Sequence, residues 1–221
     1  MVSPSLAEAH ANSAGLVGCR FGELFPSAVI GAMQVNKGGA GQAIERLLGV
    51  ASGGRGRDFR DGELKTFRCD VDGYPIESIG LLQFGARFDK LLDCEPFEET
   101  ALFHKLQSLL MLGVYKDGPA AQWKVTSAMR VVTSAESDWF APIERSYREV
   151  VKRVLVELSA GRELSTITED CLQIRVHDSR PYRPVFSERL QRQVANKQLG
   201  FYFPRATVIR MVDEYLTCEM D

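Results

Sequence analysis

The chain has 221 residues, 45 % of them apolar and 25 % charged, which is the composition of a soluble globular domain with a sizeable core. Its apolar runs, such as 106–115, are too short and too interrupted for a membrane span, and the start lacks the long apolar centre of a signal peptide. A cytoplasmic protein is therefore the expectation, and five scattered cysteines without close spacing argue for reduced thiols over a zinc site or a disulfide framework.

Taken in chain order, residues 4–11 read as a short helix. Residues 40–48 read as another, with Ala43, Ile44, Leu47 and Leu48 on its apolar face and Gly49 as its stop. A Gly- and Arg-rich loop is expected at 51–57. Strands are expected at 63–69 and 76–84, separated by the turn signal Asp72-Gly73. Residues 98–105 predict a helix, 106–115 a buried strand and 129–132 a further strand.

Pro142 suits the first turn of a long helix that carries Ile143, Tyr147, Val150, Val151, Val154, Leu155 and Leu158 on one face and ends at Gly161. Strands are expected at 171–176 and 201–203. A last helix holds Val208, Ile209, Val212 and Leu216 on its inner face. The pattern is that of a mixed α/β domain, with strands in the middle and helices around them.

Net charge is −2, which by itself announces no nucleic-acid binder. Between Gly161 and Arg210, however, nine Arg or Lys stand against five Asp or Glu, so one segment carries a basic excess in an acidic chain. His10, His104 and His177 have no ligand spacing among them and read as structural or surface residues.

The stretch from Asp58 to Lys65 (Asp-Phe-Arg-Asp-Gly-Glu-Leu-Lys) carries the most chemistry. In a strand alternate side chains share a face, so Glu63 and Lys65 point one way and Leu64 points into the core. Two carboxylates, Asp58 and Glu63, can hold Mg²⁺ through hard oxygen ligands. Lys65 can then orient water or steady the negative charge that develops during phosphodiester hydrolysis. An acid–x–Lys triplet alone is common, and a solvated strand face with an incidental ion pair is its ordinary meaning.

Asp58-Phe59 followed by Glu63-Leu64-Lys65-Thr66 resembles the active-site strand of the MutH family, within the restriction-endonuclease-like (PD-(D/E)xK) fold. This family includes the mismatch-repair nicking enzyme and type II restriction enzymes that cut GATC. Four further stretches resemble it in order: 36–42 running into 44–49, Phe103-His104-Lys105-Leu106, Leu172-Gln173-Ile174-Arg175, and Gly200-Phe201-Tyr202 before the last helix.

The resemblance implies a restriction-endonuclease-like mixed central sheet flanked by helices. It implies a single endonuclease domain over 1–221, with a catalytic lobe at about 1–135 and a recognition lobe at about 136–221 around a DNA cleft. Asp58 and Glu63 become metal ligands for Mg²⁺ and Lys65 the catalytic lysine. Lys105 supports the scissile phosphate, and Glu45 helps hold Lys65 or a metal-bound water. Lys37 approaches the DNA backbone, while Arg175 and Tyr202 face the DNA, Arg175 suited to grip a guanine edge. Only four residues separate Asp58 from Glu63, fewer than is usual in the family, and Asp61 is the alternative first ligand.

The expected function is a Mg²⁺-dependent, site-specific DNA endonuclease of the type II restriction kind acting on double-stranded DNA. The alternative is a MutH-like nicking enzyme activated by MutL. A double-strand cut needs a homodimer on DNA or two successive visits.

Overall fold

A computed structural model describes residues 3–36, 38–50, 57–83, 88–92, 96–176, 184–194 and 199–218. They form a mixed α/β protein whose contacts divide it into two compact units, one from 1–77, 105–132 and 208–221 and the other from 78–104 and 133–207. This partition differs from a single cut near residue 135. The strand 79–83 pairs with the strand 199–203, which carries 78–104 into the second unit, whereas 208–218 belong with the first.

The first unit opens with α1 (Leu6–Ala14), α2 (Phe21–Leu24), α3 (Ser27–Val35) and α4 (Gly39–Leu47). Ser5 starts α1 with a reciprocal cap: its hydroxyl accepts from the Glu8 N–H while the Glu8 carboxylate accepts from the Ser5 N–H. The apolar face of α4 is Ala40, Ala43, Ile44 and Leu48. Leu47, expected on that face, lies at its edge and is exposed.

Strand β1 (Glu63–Cys69) follows, and the chain then leaves for the second unit before returning. That unit holds β2 (Ile79–Gln83), α5 (Phe88–Leu92), a 3-10 turn at Phe97–Glu99 and the first turn of α6 (Ala101–Leu106). Back in the first unit, β3 (Ser108–Tyr115) pairs parallel with β1 and antiparallel with β4 (Lys124–Val132), in the order β1-β3-β4. A parallel pair cannot be closed by a tight turn, and the long excursion between β1 and β3 is the crossover it requires.

Leu109 to Val114, Gly113 aside, are at or near zero exposure, so the central strand buries both faces. Each large side chain fully buried there contributes about 1.5–3 kcal/mol. The Asp72-Gly73 turn forms, with Gly73 at φ +90, but it closes only a single bridge, Cys69 to Pro75. Among the described residues the two strands it separates do not pair with each other: β1 pairs with β3, and β2 with the strand 199–203.

The second unit continues with α7 (Phe140–Ser159), β5 (Ile167–Thr168), β6 (Gln173–Val176), β7 (Val185–Ser187), β8 (Arg192–Val194) and β9 (Leu199–Phe203), and α8 (Arg205–Cys218) leads back to the first. Its main sheet runs β2-β9-β6-β5, and β7 pairs with β8 alone. The strands of the described residues thus fall into three sheets, where a single central one was expected. Ile143, Tyr147, Val150, Val151, Val154 and Leu158 bury the inner face of α7, with Leu155 half-buried. In α8, Val208, Met211 and Val212 are buried and Leu216 is exposed, a correction at the last turn of the expected face. No described helix is long and apolar enough to cross a membrane.

Candidate active site

Residues 58–62 aim the acids. Phe59 is buried, and its N–H donates to the Gly62 carbonyl at 3.0 Å, closing a tight turn. Gly62 is required there: a Cβ would lie 2.7 Å from the Ser108 carbonyl oxygen and collide with Leu6. Arg60 N–H donates to the Pro4 carbonyl at 3.0 Å and Leu6 N–H to Asp61 Oδ1 at 2.6 Å. Asp61 thus satisfies an orphan donor in the first turn of α1 and is committed to that helix. Asp58 turns the other way, with Oδ2 accepting from the Leu64 N–H at 2.9 Å. Of the two aspartates, Asp58 is the one held against the start of β1.

Glu63 is the anomaly of β1. It is only 2 % exposed, and a carboxylate so buried is costly unless it is paired. Two lysines supply the partners. Lys105, in the last turn of α6, donates from Nζ to Oε1 at 2.9 Å, and Lys65 Nζ lies 4.0 Å from Oε2. Glu63 and Lys65 share a strand face as their spacing demands, and Leu64 is buried on the opposite face among Ala40, Ile44 and Phe59.

Electrostatics ties a third acid to the cluster. Burial first, and then the nearby Asp58 charge, push the Glu45 carboxyl of α4 above the usual carboxylate range, while Lys65 and Arg46 oppose the shift. Burial also raises Glu63, with Lys105 pulling it back and Asp58 pushing it further. Burial lowers Lys65, against the pull of Glu63. Glu45 and Lys105, remote in sequence from Asp58, Glu63 and Lys65, are therefore coupled electrostatically to this cluster within the first unit.

Among the described residues no three His, Cys, Asp or Glu side chains converge as a metal-holding group. Asp58 and Glu63 remain as two hard-oxygen donors, and Mg²⁺ is commonly held by one or two carboxylates with water and substrate phosphate completing its octahedron. The donor chemistry fits that ion.

The second unit carries the other candidates. Arg175 on β6 is exposed and its guanidinium lies 5.4 Å from the centre of the Tyr202 ring on the neighbouring β9. Tyr202 is itself buried, its ring lying against Gly80 of β2 and Gly200 of β9, where a Cβ would come within 3.2–3.3 Å of it. The ring is a platform beneath Arg175. Gln173 stands directly across from Tyr202, 7 % exposed, and its Nε2 finds no hydrogen-bond partner among the described residues. Lys37 lies outside the described residues, as do His177 and the loop residues 51–56.

No protein-family model matches the chain, and a search of curated proteins finds none similar to it.

Proposed function

We propose that this protein is a Mg²⁺-dependent, site-specific DNA endonuclease of the type II restriction kind. One observation carries the reading: a nearly inaccessible glutamate, Glu63, opens a strand beside Asp58 and is faced by two lysines, Lys105 at 2.9 Å and Lys65 at 4.0 Å. A purely structural role explains it poorly, since an apolar residue in that position avoids the cost of burying the Glu63 charge between two half-buried lysines. A site for phosphate chemistry explains it well, because phosphoryl oxygens and a hard cation call for the same groups.

In this reading the fold is restriction-endonuclease-like, with β1 as its active-site strand, and the second unit reads the DNA. Asp58 and Glu63 hold the Mg²⁺. When bound, the ion polarises the phosphate and lowers the pKa of a water. Lys65 orients the attacking water and supports the negative charge that builds on the phosphate. Lys105 donates to a phosphate oxygen, and Glu45 restrains Lys65. Arg175, braced on Tyr202, grips a guanine edge.

The test is digestion of methylated and unmethylated plasmids with Mg²⁺ and no added protein, followed by sequencing of the ends. Ends mapping to one short sequence support restriction. Nicking that needs MutL and ATP moves the protein to the repair reading, and intact plasmid under every condition removes the proposal.

A further inference from the structure

Glu63 has two carboxylate oxygens, and both already face cations. Oε1 accepts from Lys105 at 2.9 Å and Oε2 has Lys65 4.0 Å away, in surroundings that leave the Glu63 side chain 3 % exposed. Asp58 Oδ2 is engaged by the Leu64 N–H. A divalent cation approaching Glu63 therefore meets one ammonium already bonded to Oε1 and a second 4.0 Å from Oε2, and the positive charges repel at close range.

The lysines differ in their freedom to yield. Lys65 projects from the middle of the paired strand β1, whereas Lys105 sits at the end of α6 with a more exposed side chain, 31 % against 22 %.

We infer that Lys105, bonded to one oxygen of Glu63, competes with a divalent cation for this carboxylate until a DNA phosphate draws its ammonium away, so that divalent-cation binding and DNA binding strengthen each other. Lys105 is then a positioning residue for the metal as well as a phosphate donor, and the metal-free cluster is held in a resting state. The inference rests on the nuclease reading above. Coupling between two ligands is reciprocal and commonly 5–150-fold, which sets the scale of the effect.

Calorimetric titration of Ca²⁺ into the full chain tests it, with the protein free and then saturated with a GATC-containing duplex. Glu63→Gln supplies the background. Wild type should bind Ca²⁺ at least about fivefold more tightly with duplex present. Lys105→Met should bind Ca²⁺ about fivefold or more tightly than wild type without DNA, and should lose the gain on adding duplex. Lys105→Gln should repeat that result if the Met variant folds poorly, and Lys105→Arg should behave as wild type. Glu63-dependent Ca²⁺ binding that Lys105→Met and Lys105→Gln leave unchanged or weaken overturns the inference and leaves the nuclease reading standing. No Glu63-dependent binding in any form, with or without duplex, overturns the metal site itself and the inference with it.

Discussion

Lys105 and Glu63 are 42 residues apart in sequence, yet Lys105 Nζ lies 2.9 Å from Glu63 Oε1. Their contact joins the last turn of α6 to the first residue of β1 and brings a second lysine to the strand that already carries Lys65. A charged hydrogen bond to a buried carboxylate is worth about 1.5–3 kcal/mol, and losing one partner leaves the other charge stranded. The account of the site rests on this arrangement.

Lys65→Ala should abolish cleavage while leaving the fold and DNA binding largely intact. Its head group faces Glu63 from a partly open position, so it acts on substrate more than on packing. The loss should exceed ~10²-fold if the lysine stabilises charge in the transition state. Single-turnover rates and circular dichroism on the same preparation check both halves, and a variant cutting at near wild-type rate sinks the assignment.

Glu45→Gln should stabilise the metal-free protein at neutral pH. The folded-state pKa of Glu45 is raised, so the fold favours its protonated form. That stabilisation is full below the ordinary carboxyl value of 4.5 and is lost as pH rises through the raised folded value. Removing the charge should therefore raise Tm at pH 7.5 and change it little at pH 4. Melting curves in EDTA at the two pH values measure this; a lower Tm at pH 7.5 contradicts the electrostatic coupling of α4 to the site.

Gly62→Ala should destabilise the fold and displace the acids. The added methyl meets the Ser108 carbonyl and Leu6, and overpacking of this kind costs about 1–3 kcal/mol. Urea denaturation should show a reduced midpoint with an unchanged slope. An unaltered midpoint means the turn at 59–62 has a different backbone path.

How much of this was legible beforehand differs by element. The apolar run of β3 and the 3.6-residue stripe of α7 announce themselves, because burial on both faces or along one helical face leaves a periodic mark. The shared face of Glu63 and Lys65 follows from strand geometry alone. Helix α3 leaves no such mark: Ser27–Val35 is apolar nearly throughout without a stripe, and Val35 ends it in solvent. Strands β5, β7 and β8, two or three residues long, are too short for alternation to register. That Asp61 caps α1 while Asp58 lies against the start of β1 depends on Leu6, 55 residues upstream of Asp61, whose N–H donates to Asp61. Tyr202 could be core or surface on its residue type; the structure buries its ring against two glycines, with the Arg175 guanidinium 5.4 Å from its centre.

Arg175→Ala should cost specificity as well as affinity. Its guanidinium is preoriented over Tyr202, and a lost bidentate guanine contact removes about 1–3 kcal/mol of discrimination. Binding is compared for a cognate duplex and a singly substituted one at several salt concentrations. Equal weakening of both, with the salt slope reduced by about one, makes Arg175 a phosphate contact and contradicts the assignment.

The most direct measurement is plasmid cleavage by wild type and Glu63→Gln in Mg²⁺, Mn²⁺, Ca²⁺ and excess EDTA. Wild type should cut with Mg²⁺ or Mn²⁺, bind without cutting in Ca²⁺ and be inert in EDTA, since Ca²⁺ is larger and a poorer activator of water. Glu63→Gln should be inactive with every ion. Cleavage by wild type in excess EDTA, or by Glu63→Gln at the wild-type rate, would contradict the account.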